Sequence, residues 1–420
     1  MKPVSFIHCA DLHIETPFKG IVEIQPELQE LLYQSTYQSF NNIVDLAIEK
    51  QVDCVVIAGD IYDSEDKSLR AQLRFRDGVV KLAETDIQTF AVNGNHDPLR
   101  GWAAKIEWPA SMHRLSSEGV ECVPLLRSGE VVANIYGISF AKRDVKENLA
   151  LRFPKADQNV PAIGLLHANV GGNTEHDPYS PCTVEDLSLA GMDYWALGHV
   201  HSYSILSRSN PSIVYPGCPQ GRNQREIGPK GCCFVTLEHK HAPTIEFIPT
   251  DVIRYKSEPL NVSSCSSIDD VLSLITERCK EISGELDKRV SIIRLMLTGV
   301  TDLHKELQRG DSITGILEEA RQHFIGSDPL IWLDKLLLGT VGTYDLDSLR
   351  RGNDFIADIM SIFDALYDVK GEYFQELRQA LEPLFLKWRG HGYIEELKDE
   401  QLLEITNEAR GQMLNSLISD

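Results

Sequence analysis

Short apolar runs, each followed at once by a cluster of polar residues, are the feature that most limits how this chain can fold. Four such runs, partly β-branched, are Val4–Cys9, Cys54–Ala58, Thr89–Val92 and Ala162–Leu166. Runs of this length and composition predict buried β-strands. In open α/β sheets the carboxyl ends of the strands meet at one rim, so the polar clusters are predicted to converge there.

The segments between these strands predict helices. Apolar residues recur at helical spacing from Pro26 to Glu49, and a second helical stretch runs from Ser68 to Ala83. Strands and helices therefore alternate along the first part of the chain. This alternation predicts an α/β fold with βαβ connections.

Five polar clusters follow one another in a fixed order. They are Asp11-Leu12-His13, Gly59-Asp60-Ile61-Tyr62-Asp63, Gly94-Asn95-His96-Asp97, His167 and Gly198-His199-Val200-His201. Carboxylate oxygen and imidazole nitrogen bind divalent manganese, iron and zinc, and two ions about 3.5 to 4 Å apart share a bridging carboxylate. Asp60 is the predicted bridge. The remaining predicted ligands are Asp11, His13 and His201 for one ion, and Asn95, His167 and His199 for the other.

Each motif taken alone also has a simpler interpretation. Asp-x-His and Gly-Asp are commonly capped turns, and Gly-Asn-His-Asp can form a turn because Asn and Gly tolerate left-handed backbone. The occurrence of all five in order is what favours two metal ions. His8 lies inside the first strand and is predicted to be structural.

The order of the motifs resembles that of the calcineurin-like metallophosphoesterases, across roughly the first 200 residues. The resemblance implies a two-sheet sandwich flanked by helices, two divalent ions taken to be Mn²⁺, and hydrolysis of a phosphate ester by water. It also implies that His96 gives a proton to the leaving oxygen and that Asp97 orients and charge-tunes His96. Asp63 is expected to support the site through hydrogen bonds.

Further segments resemble the bacterial SbcD-type DNA-repair exonucleases and especially their YhaO-like relatives. These segments are Phe6–His13 with Pro17–Gly20, Leu165–Gly172, His176–Tyr179, and Tyr215–Gln220 with Lys230-Gly231. The resemblance implies DNA as the substrate and an ABC-type ATPase with coiled coils as the partner; a homodimer is left open. Ser64-Glu65-Asp66 follows the second motif where protein phosphatases of this superfamily have Arg-Gly, which argues against a protein phosphatase.

Three residues are predicted to contact the substrate. Arg222 and Arg225 lie in a loop punctuated by Gly and Pro, where they could bind phosphates, although Tyr215-Pro216-Gly217 before them can also be read simply as a turn. His176 is either a histidine on the substrate side or a loop residue exposed to water.

The charge of the chain limits the nuclease hypothesis. With 41 basic and 62 acidic residues, the formal net charge is −21, which is unfavourable for holding a polyanion. We therefore expect weak DNA affinity in isolation, with local basic patches or a partner supplying the rest. A small-molecule phosphodiesterase or nucleotidase using the same site is the alternative, and a non-enzymatic scaffold is a third hypothesis.

Length and pattern predict three regions: a catalytic domain over 1–250, a small α+β cap over 251–340, and a helical region over 341–420. The last region carries apolar stripes, either buried in their own domain or exposed to grip a coiled coil. The stripe residues are Phe355, Ile356, Ile359, Met360, Phe363 and Leu366, then Phe374, Leu377, Leu381, Leu384 and Phe385, interrupted at Pro383.

The N-terminus and the cysteines bear on cellular location. The chain passes from Met1 directly into the first strand without an apolar export segment, and no stretch approaches 18 consecutive apolar residues. The nine cysteines contain no Cys-x-x-Cys pair, so reduced and mostly buried thiols are expected. These features predict a cytoplasmic protein without a membrane span.

Overall fold

The computed structural model describes residues 3–16, 26–66, 68–157, 159–172, 177–287, 289–385 and 397–418. Internal contacts divide the chain into two units. The first comprises Met1–Lys256, Ser283–Ile292 and Asp328–Leu330, and the second comprises Ser257–Ile282, Ile293–Ser327 and Ile331–Asp420. The three-part division made from the sequence is finer than this and stays a prediction.

The first unit contains twelve strands and three helices among the described residues. In chain order these are β1 (Val4–Cys9), α1 (Pro26–Glu49), β2 (Cys54–Ala58), α2 (Leu69–Ala83), β3 (Gln88–Val92), β4 (Met112–Arg114), β5 (Glu121–Arg127), β6 (Glu130–Gly137), β7 (Ala162–His167), α3 (Val184–Leu189), β8 (Tyr194–Gly198), β9 (Ser204–Ser207), β10 (Ser212–Tyr215), β11 (Gly231–Leu237) and β12 (Thr244–Pro249). The four predicted strands and two predicted helices agree with these bounds to within a residue.

The twelve strands form two six-stranded sheets, in the orders β12-β11-β1-β2-β3-β4 and β5-β6-β7-β8-β10-β9. Strands β1, β2 and β3 are parallel neighbours in the first sheet, and β6, β7 and β8 are parallel neighbours in the second. His167 is therefore the last residue of a strand of the second sheet. The polar clusters meet at the ends of strands from both sheets, where the sequence pattern alone suggested the rim of one.

Alternation along the strands gives each sheet two buried faces. In β1, Phe6 packs into the core between the sheets, whereas Ile7 packs into a second core on the side of α1 and α2. In β8, Tyr194 faces the inner core and the neighbouring Trp195 faces a third core that includes Leu187 of α3. The α/β two-sheet sandwich flanked by helices is thus confirmed.

One carboxylate joins the two sheets at an edge. Asp53 accepts hydrogen bonds from the backbone N–H of Ser5 in β1, at 2.8 Å, and from Nε and Nη2 of Arg127 at the end of β5, both at 2.6 Å. Burial raises the pKa of Asp53, but the bonds from Arg127 and Ser5 outweigh it and hold the pKa below its ordinary value. The ionised carboxylate is therefore more stable in the folded chain than in the unfolded one.

We expect Asp53→Asn to lower the free energy of unfolding by about 1–3 kcal/mol at neutral pH, because it removes charge-assisted hydrogen bonds to Arg127. Since the folded pKa of Asp53 is lowered, its stabilisation is present above the unfolded value, about 3.9, and is lost as pH falls through the folded pKa. Urea unfolding of both proteins should therefore differ at pH 7 and converge in acid.

The matched control for this measurement is Asp77→Asn, which removes an exposed carboxylate whose ion pair among the described residues is with the half-exposed Arg76 of α2. Exposed pairs of this kind contribute about 0–1 kcal/mol. Equal losses for the two variants would contradict the role given to Asp53.

From Ile253 onward the chain forms three strands and seven helices among the described residues. They are β13 (Ile253–Asn261), α4 (Ile268–Glu285), β14 (Val290–Val300), α5 (His304–Gln308), α6 (Ser312–Gln322), β15 (Ile331–Val341), α7 (Leu346–Arg350), α8 (Phe355–Leu366), α9 (Glu372–Phe385) and α10 (Asp399–Ile418). The strands form one sheet in the order β13-β14-β15. Helix α4 buries Val271, Ile275, Cys279 and Ile282, which recur at helical spacing along one face.

The two apolar stripes of the last region are buried only in part. Met360, Phe363 and Phe374 are buried, whereas 66% of Phe355 is exposed. Helix α9 continues through Pro383 to its end. The side chains of Leu384 and Phe385 lie outside the described residues, as do residues 17–20.

Two further expectations concern thiols and membranes. None of the nine cysteines forms a disulfide, and seven of them are buried. No helix in the described ranges is both long enough and apolar enough to cross a membrane.

Candidate metal centre

The predicted ligands follow the ends of five strands. Asp11 and His13 follow β1, Asp60 follows β2, Asn95 follows β3, His167 ends β7, and His199 and His201 follow β8. Four of these residues have left-handed backbone, with φ of 52° at Asp11, 44° at His13, 53° at Asp60 and 102° at His199. Such backbone costs a non-glycine residue about 1–3 kcal/mol and persists where surrounding contacts hold it, most often at functional sites.

Glycines allow these turns to approach one another. A Cβ atom on Gly198 would overlap the carbonyl oxygen of Ala58, and one on Gly94 would overlap Oδ1 of Asp60. The glycine in each motif is therefore required by the close contact between the strand ends.

His13 points an unpaired nitrogen into the centre. Its Nδ1 lies 3.2 Å from Oδ1 of Asp63, which can only accept, so Nδ1 carries the proton. Burial lowers the pKa of His13 to about 3, so the ring is neutral and Nε2 carries a lone pair. Nε2 is buried without a hydrogen-bond partner and lies 3.9 Å from Oδ2 of Asp60. A cation between these two atoms would satisfy both.

His167 shows the same arrangement on the other side of Asp60. Its Nδ1 donates to the carbonyl oxygen of Ala58 at 2.9 Å, so its proton is placed there. Burial lowers the pKa of His167, which leaves the lone pair on Nε2. That atom lies 3.0 Å from Oδ1 of Asn95 and 3.4 Å from Oδ2 of Asp60. Three electron-rich atoms thus face one another in a buried space, which fits a bound cation.

Asp60 lies between the two groups. Its Oδ2 faces Nε2 of both His13 and His167, while its Oδ1 accepts the backbone N–H of His96 at 2.9 Å. Burial raises the pKa of Asp60, but the nearby histidines outweigh it and lower the pKa to about 2. Burial and the charge of Asp60 raise the pKa of Asp11 well above its ordinary value. Two buried carboxylates that repel each other in this way are stabilised by divalent cations.

Asp11 and the Gly-His-x-His turn complete the two groups. The donor atoms of Asp11, His13 and His201 lie within 4.8 Å of one another, and so do those of Asp11, Asp60 and His167. The backbone N–H of His199 donates to both oxygens of Asp11, at 3.1 and 3.0 Å. Nε2 of His199 lies 2.8 Å from the carbonyl oxygen of Asp177, which assigns the lone pair to Nδ1.

His96 is more exposed to solvent than the buried histidines His13 and His167. Its side chain is 36% exposed, whereas that of His13 is 1% exposed. Nδ1 of His96 lies 2.6 Å from Oδ1 of Asp63, whose Oδ2 accepts the hydroxyl of Thr16 at 2.8 Å. Asp63 therefore fixes the ring of His96 and, through Nδ1, that of His13.

The position of Asp97 differs from the prediction. Its carboxylate accepts the backbone N–H of Ile61 at 3.0 Å and that of Gly94 at 2.7 Å. Asp97 thus ties the second motif to the third, and the residue that orients His96 is Asp63. The sequence could not distinguish the two carboxylates, because which one faces the ring depends on how the two loops pack.

Glu226 is a contributor that the sequence analysis missed. It is buried, and its Oε1 accepts a hydrogen bond from Nδ1 of His201 at 2.7 Å, which fixes the orientation of that ring. Its Oε2 accepts the backbone N–H of Arg222 at 2.6 Å. No sequence motif marks this residue, although it follows Arg222 in the same loop.

The three predicted substrate contacts have different outcomes. The charge of Arg222 acts on Asp11, His13 and His96, so this side chain lies near the centre. Arg225 is exposed, and its side chain forms no hydrogen bond or ion pair with the described residues. His176 lies outside the described residues.

Family models match two parts of the chain. The model of the calcineurin-like phosphoesterase family matches residues 4–203, and the model of the middle domain of metallophosphoesterase YhaO matches residues 255–341. A Bacillus subtilis protein, uncharacterized metallophosphoesterase YhaO, is 34% identical over 301 residues, which cover 71% of this chain and 72% of that protein. The chain belongs to the calcineurin-like metallophosphoesterases.

More distant relatives of this metallophosphoesterase bear another name. The DNA double-strand break repair protein Mre11 of Thermoplasma acidophilum is 27% identical over 317 residues, covering 72% of this chain and 79% of that protein. The protein of the same name from Sulfurisphaera tokodaii is 26% identical over 278 residues, covering 63% and 67%.

We expect Glu226→Gln to weaken metal affinity by about 10- to 100-fold, because a carboxylate on the distal nitrogen of a metal-binding histidine fixes its tautomer and raises its basicity. Isothermal titration of the purified protein with Mn²⁺ measures this effect. Exposed Glu238, changed in the same way, should titrate like the unaltered protein. Identical Mn²⁺ affinities for both variants would contradict the role given to Glu226 in metal binding.

Proposed function

We propose that this metallophosphoesterase is a two-metal phosphodiesterase that cleaves DNA as an exonuclease. The observation that carries the proposal is the single oxygen of Asp60 facing two neutral, buried imidazoles, those of His13 and His167. A shared carboxylate oxygen between two nitrogen donors is what a pair of divalent ions requires. The relatives named for DNA double-strand break repair support DNA as the substrate.

The chain's own residues divide into two ligand sets in this proposal. Asp60 is shared, and the others are Asp11, His13 and His201 on one side, and Asn95, His167 and His199 on the other. Divalent cations held there would lower the pKa of a water molecule and neutralise negative charge on the phosphoryl oxygens. Mn²⁺ is the proposed metal, because mixed oxygen and nitrogen ligands suit it.

His96 is the proposed general acid. Water attacks phosphorus in line with the scissile bond, the bond from phosphorus to the leaving oxygen breaks, and His96 gives a proton to that oxygen. The exposure of His96 and its anchoring by Asp63 support this role, because the ring is both reachable and fixed. No covalent enzyme intermediate is needed.

A partner protein is part of the proposal. A net charge of −21 opposes DNA binding by the chain alone, so a second protein is expected to contribute to holding the DNA. We propose an ABC-type ATPase with coiled coils in this role and the cytoplasm as the place of action. The exposed part of the α8 stripe, at Phe355, is a surface that such a partner could use.

The same charge favours a second function, hydrolysis of a small phosphodiester or nucleotide at the same centre. A digestion assay with Mn²⁺ separates the two, comparing linear duplex, single-stranded and circular DNA with mononucleotide esters. An exonuclease should degrade linear DNA and leave circular DNA intact. Turnover of mononucleotide esters far faster than that of DNA would replace the first function by the second.

His96→Ala should reduce DNA cleavage by about 10²- to 10⁴-fold while Mn²⁺ binding persists, because a general acid is lost and the proposed ligands remain. The loss should be much smaller on bis(p-nitrophenyl) phosphate, whose leaving group is acidic enough to depart without a proton. Rates on both substrates, measured with the same preparation, test this difference.

Two further variants complete this test. His241→Ala changes an exposed histidine in a turn and should retain the full rate on both substrates. Asp60→Ala should abolish cleavage and Mn²⁺ binding together, with the fold retained by circular dichroism. DNA cleavage that survives in both Asp60→Ala and His96→Ala would overturn the proposed function.

A further inference from the structure

A basic cleft of about 480 Å³ lies in the first unit, outside the proposed metal centre. Three segments form it: the segment after the Gly-Asn-His-Asp motif, which contributes Arg100, the connection between β4 and β5, which contributes Ser117, and the segment after β6, over residues 139–152. Four cationic side chains line the cleft, namely Arg100, Lys142, Lys146 and Arg152. Its acidic lining residues are Asp144 and Glu147.

Hydrogen bonds join residues that line this cleft to the third motif and to the segment that follows it. The hydroxyl of Ser139, which lines the cleft, accepts the backbone N–H of Asn93 at 3.0 Å. The backbone N–H of Arg100 donates to the carbonyl oxygen of Ala141 at 3.1 Å. Asn93 precedes the proposed ligand Asn95 by two residues. Residues that line the cleft are therefore hydrogen-bonded to the loop that carries His96.

Ion pairs neutralise only part of the positive charge of the cleft. Lys146 and Arg152 pair with Asp144 and Glu147 in the cleft itself. Lys142 forms no ion pair with the described residues. Nη2 of Arg100 lies 3.5 Å from Oε1 of Glu118. Both side chains are more than 70% exposed, and exposed ion pairs of this kind are weak. The chain has a net charge of −21, so this local excess of cationic side chains calls for a functional explanation.

An exposed aromatic residue lies close to Arg100 in the sequence. Trp102 follows Arg100 by two residues and is 40% exposed. Sites that bind single-stranded nucleic acid combine a cationic groove for the backbone with aromatic rings on which bases stack. We infer that the cleft binds the phosphate backbone of a single-stranded stretch of nucleic acid next to the scissile ester, with Trp102 stacking on a base. This inference rests on the proposed function and names where its substrate strand lies.

Anisotropy of a fluorescein-labelled oligothymidylate, measured in EDTA so that no strand is cleaved, tests the cleft. The double variant Arg100→Ala/Lys142→Ala should raise the dissociation constant and lower the slope of its logarithm against that of salt concentration by about 1.4, since each neutralised phosphate contributes about 0.7. Trp102→Ala should raise the dissociation constant about five-fold or more with the slope unchanged.

The matched control is Arg76→Ala/Lys81→Ala, which removes the same two charges from helix α2. It should bind the oligonucleotide like the unaltered protein. Equal binding by the cleft variants and the unaltered protein, equal weakening by both double variants, or no binding by the unaltered protein at low salt would each overturn the inference. Thermal melting checks that every variant is folded.

A second readout separates this inference from the proposed function. Turnover of bis(p-nitrophenyl) phosphate depends on the centre and should be the same in the cleft variants as in the unaltered protein. If the protein hydrolyses this ester and binds the oligonucleotide through the cleft but leaves DNA intact, the proposed DNA cleavage is refuted. The inferred binding of single strands by the cleft is then supported. If DNA is cleaved but the cleft variants bind and cleave it normally, the binding role of the cleft is refuted. The proposed nuclease function is then supported.

Discussion

Asp11 and Asp60 are buried carboxylates whose charges act on each other, and this repulsion is the constraint on which the site depends. Burying one unpaired carboxylate is costly, and burying two together is more so unless positive charge compensates them. The neighbouring rings of His13 and His167 are neutral and direct lone pairs toward Asp60. Divalent cations are the compensation that this arrangement fits.

The two sheets bring these groups together at the ends of their strands. Asp11, Asp60 and Asn95 come from the first sheet, and His167 and His199 come from the second. The inner core between the sheets is apolar, so the distance between the strand ends is set by packing of residues such as Phe6 and Tyr194. A ligand set divided between two sheets can keep its geometry only if that core is rigid.

Charge separates the chemistry of the centre from the choice of substrate. The centre is suited to phosphate esters in general, and a chain with a net charge of −21 repels a polyanion. The cations around Arg100 and Lys142 are local exceptions beside the third motif. In the functions proposed above, substrate choice depends on a small surface and on a partner, while hydrolysis depends on the buried centre and on His96.

The sequence by itself predicted four strands, two helices and seven candidate ligands, because alternation, helical spacing and motif order are local patterns that the chain carries whatever its tertiary fold. The strands and helices agree with the structure, and the metal-binding roles of the seven residues stay a proposal. It also determined the resemblance that names the family. Only the tertiary structure decided that His167 belongs to the second sheet, that Asp63 and not Asp97 holds His96, and that Glu226 supports His201. Each of these depends on how separate loops pack against one another. The orientation of a side chain across such a contact is set by its neighbours in space, which local sequence does not specify.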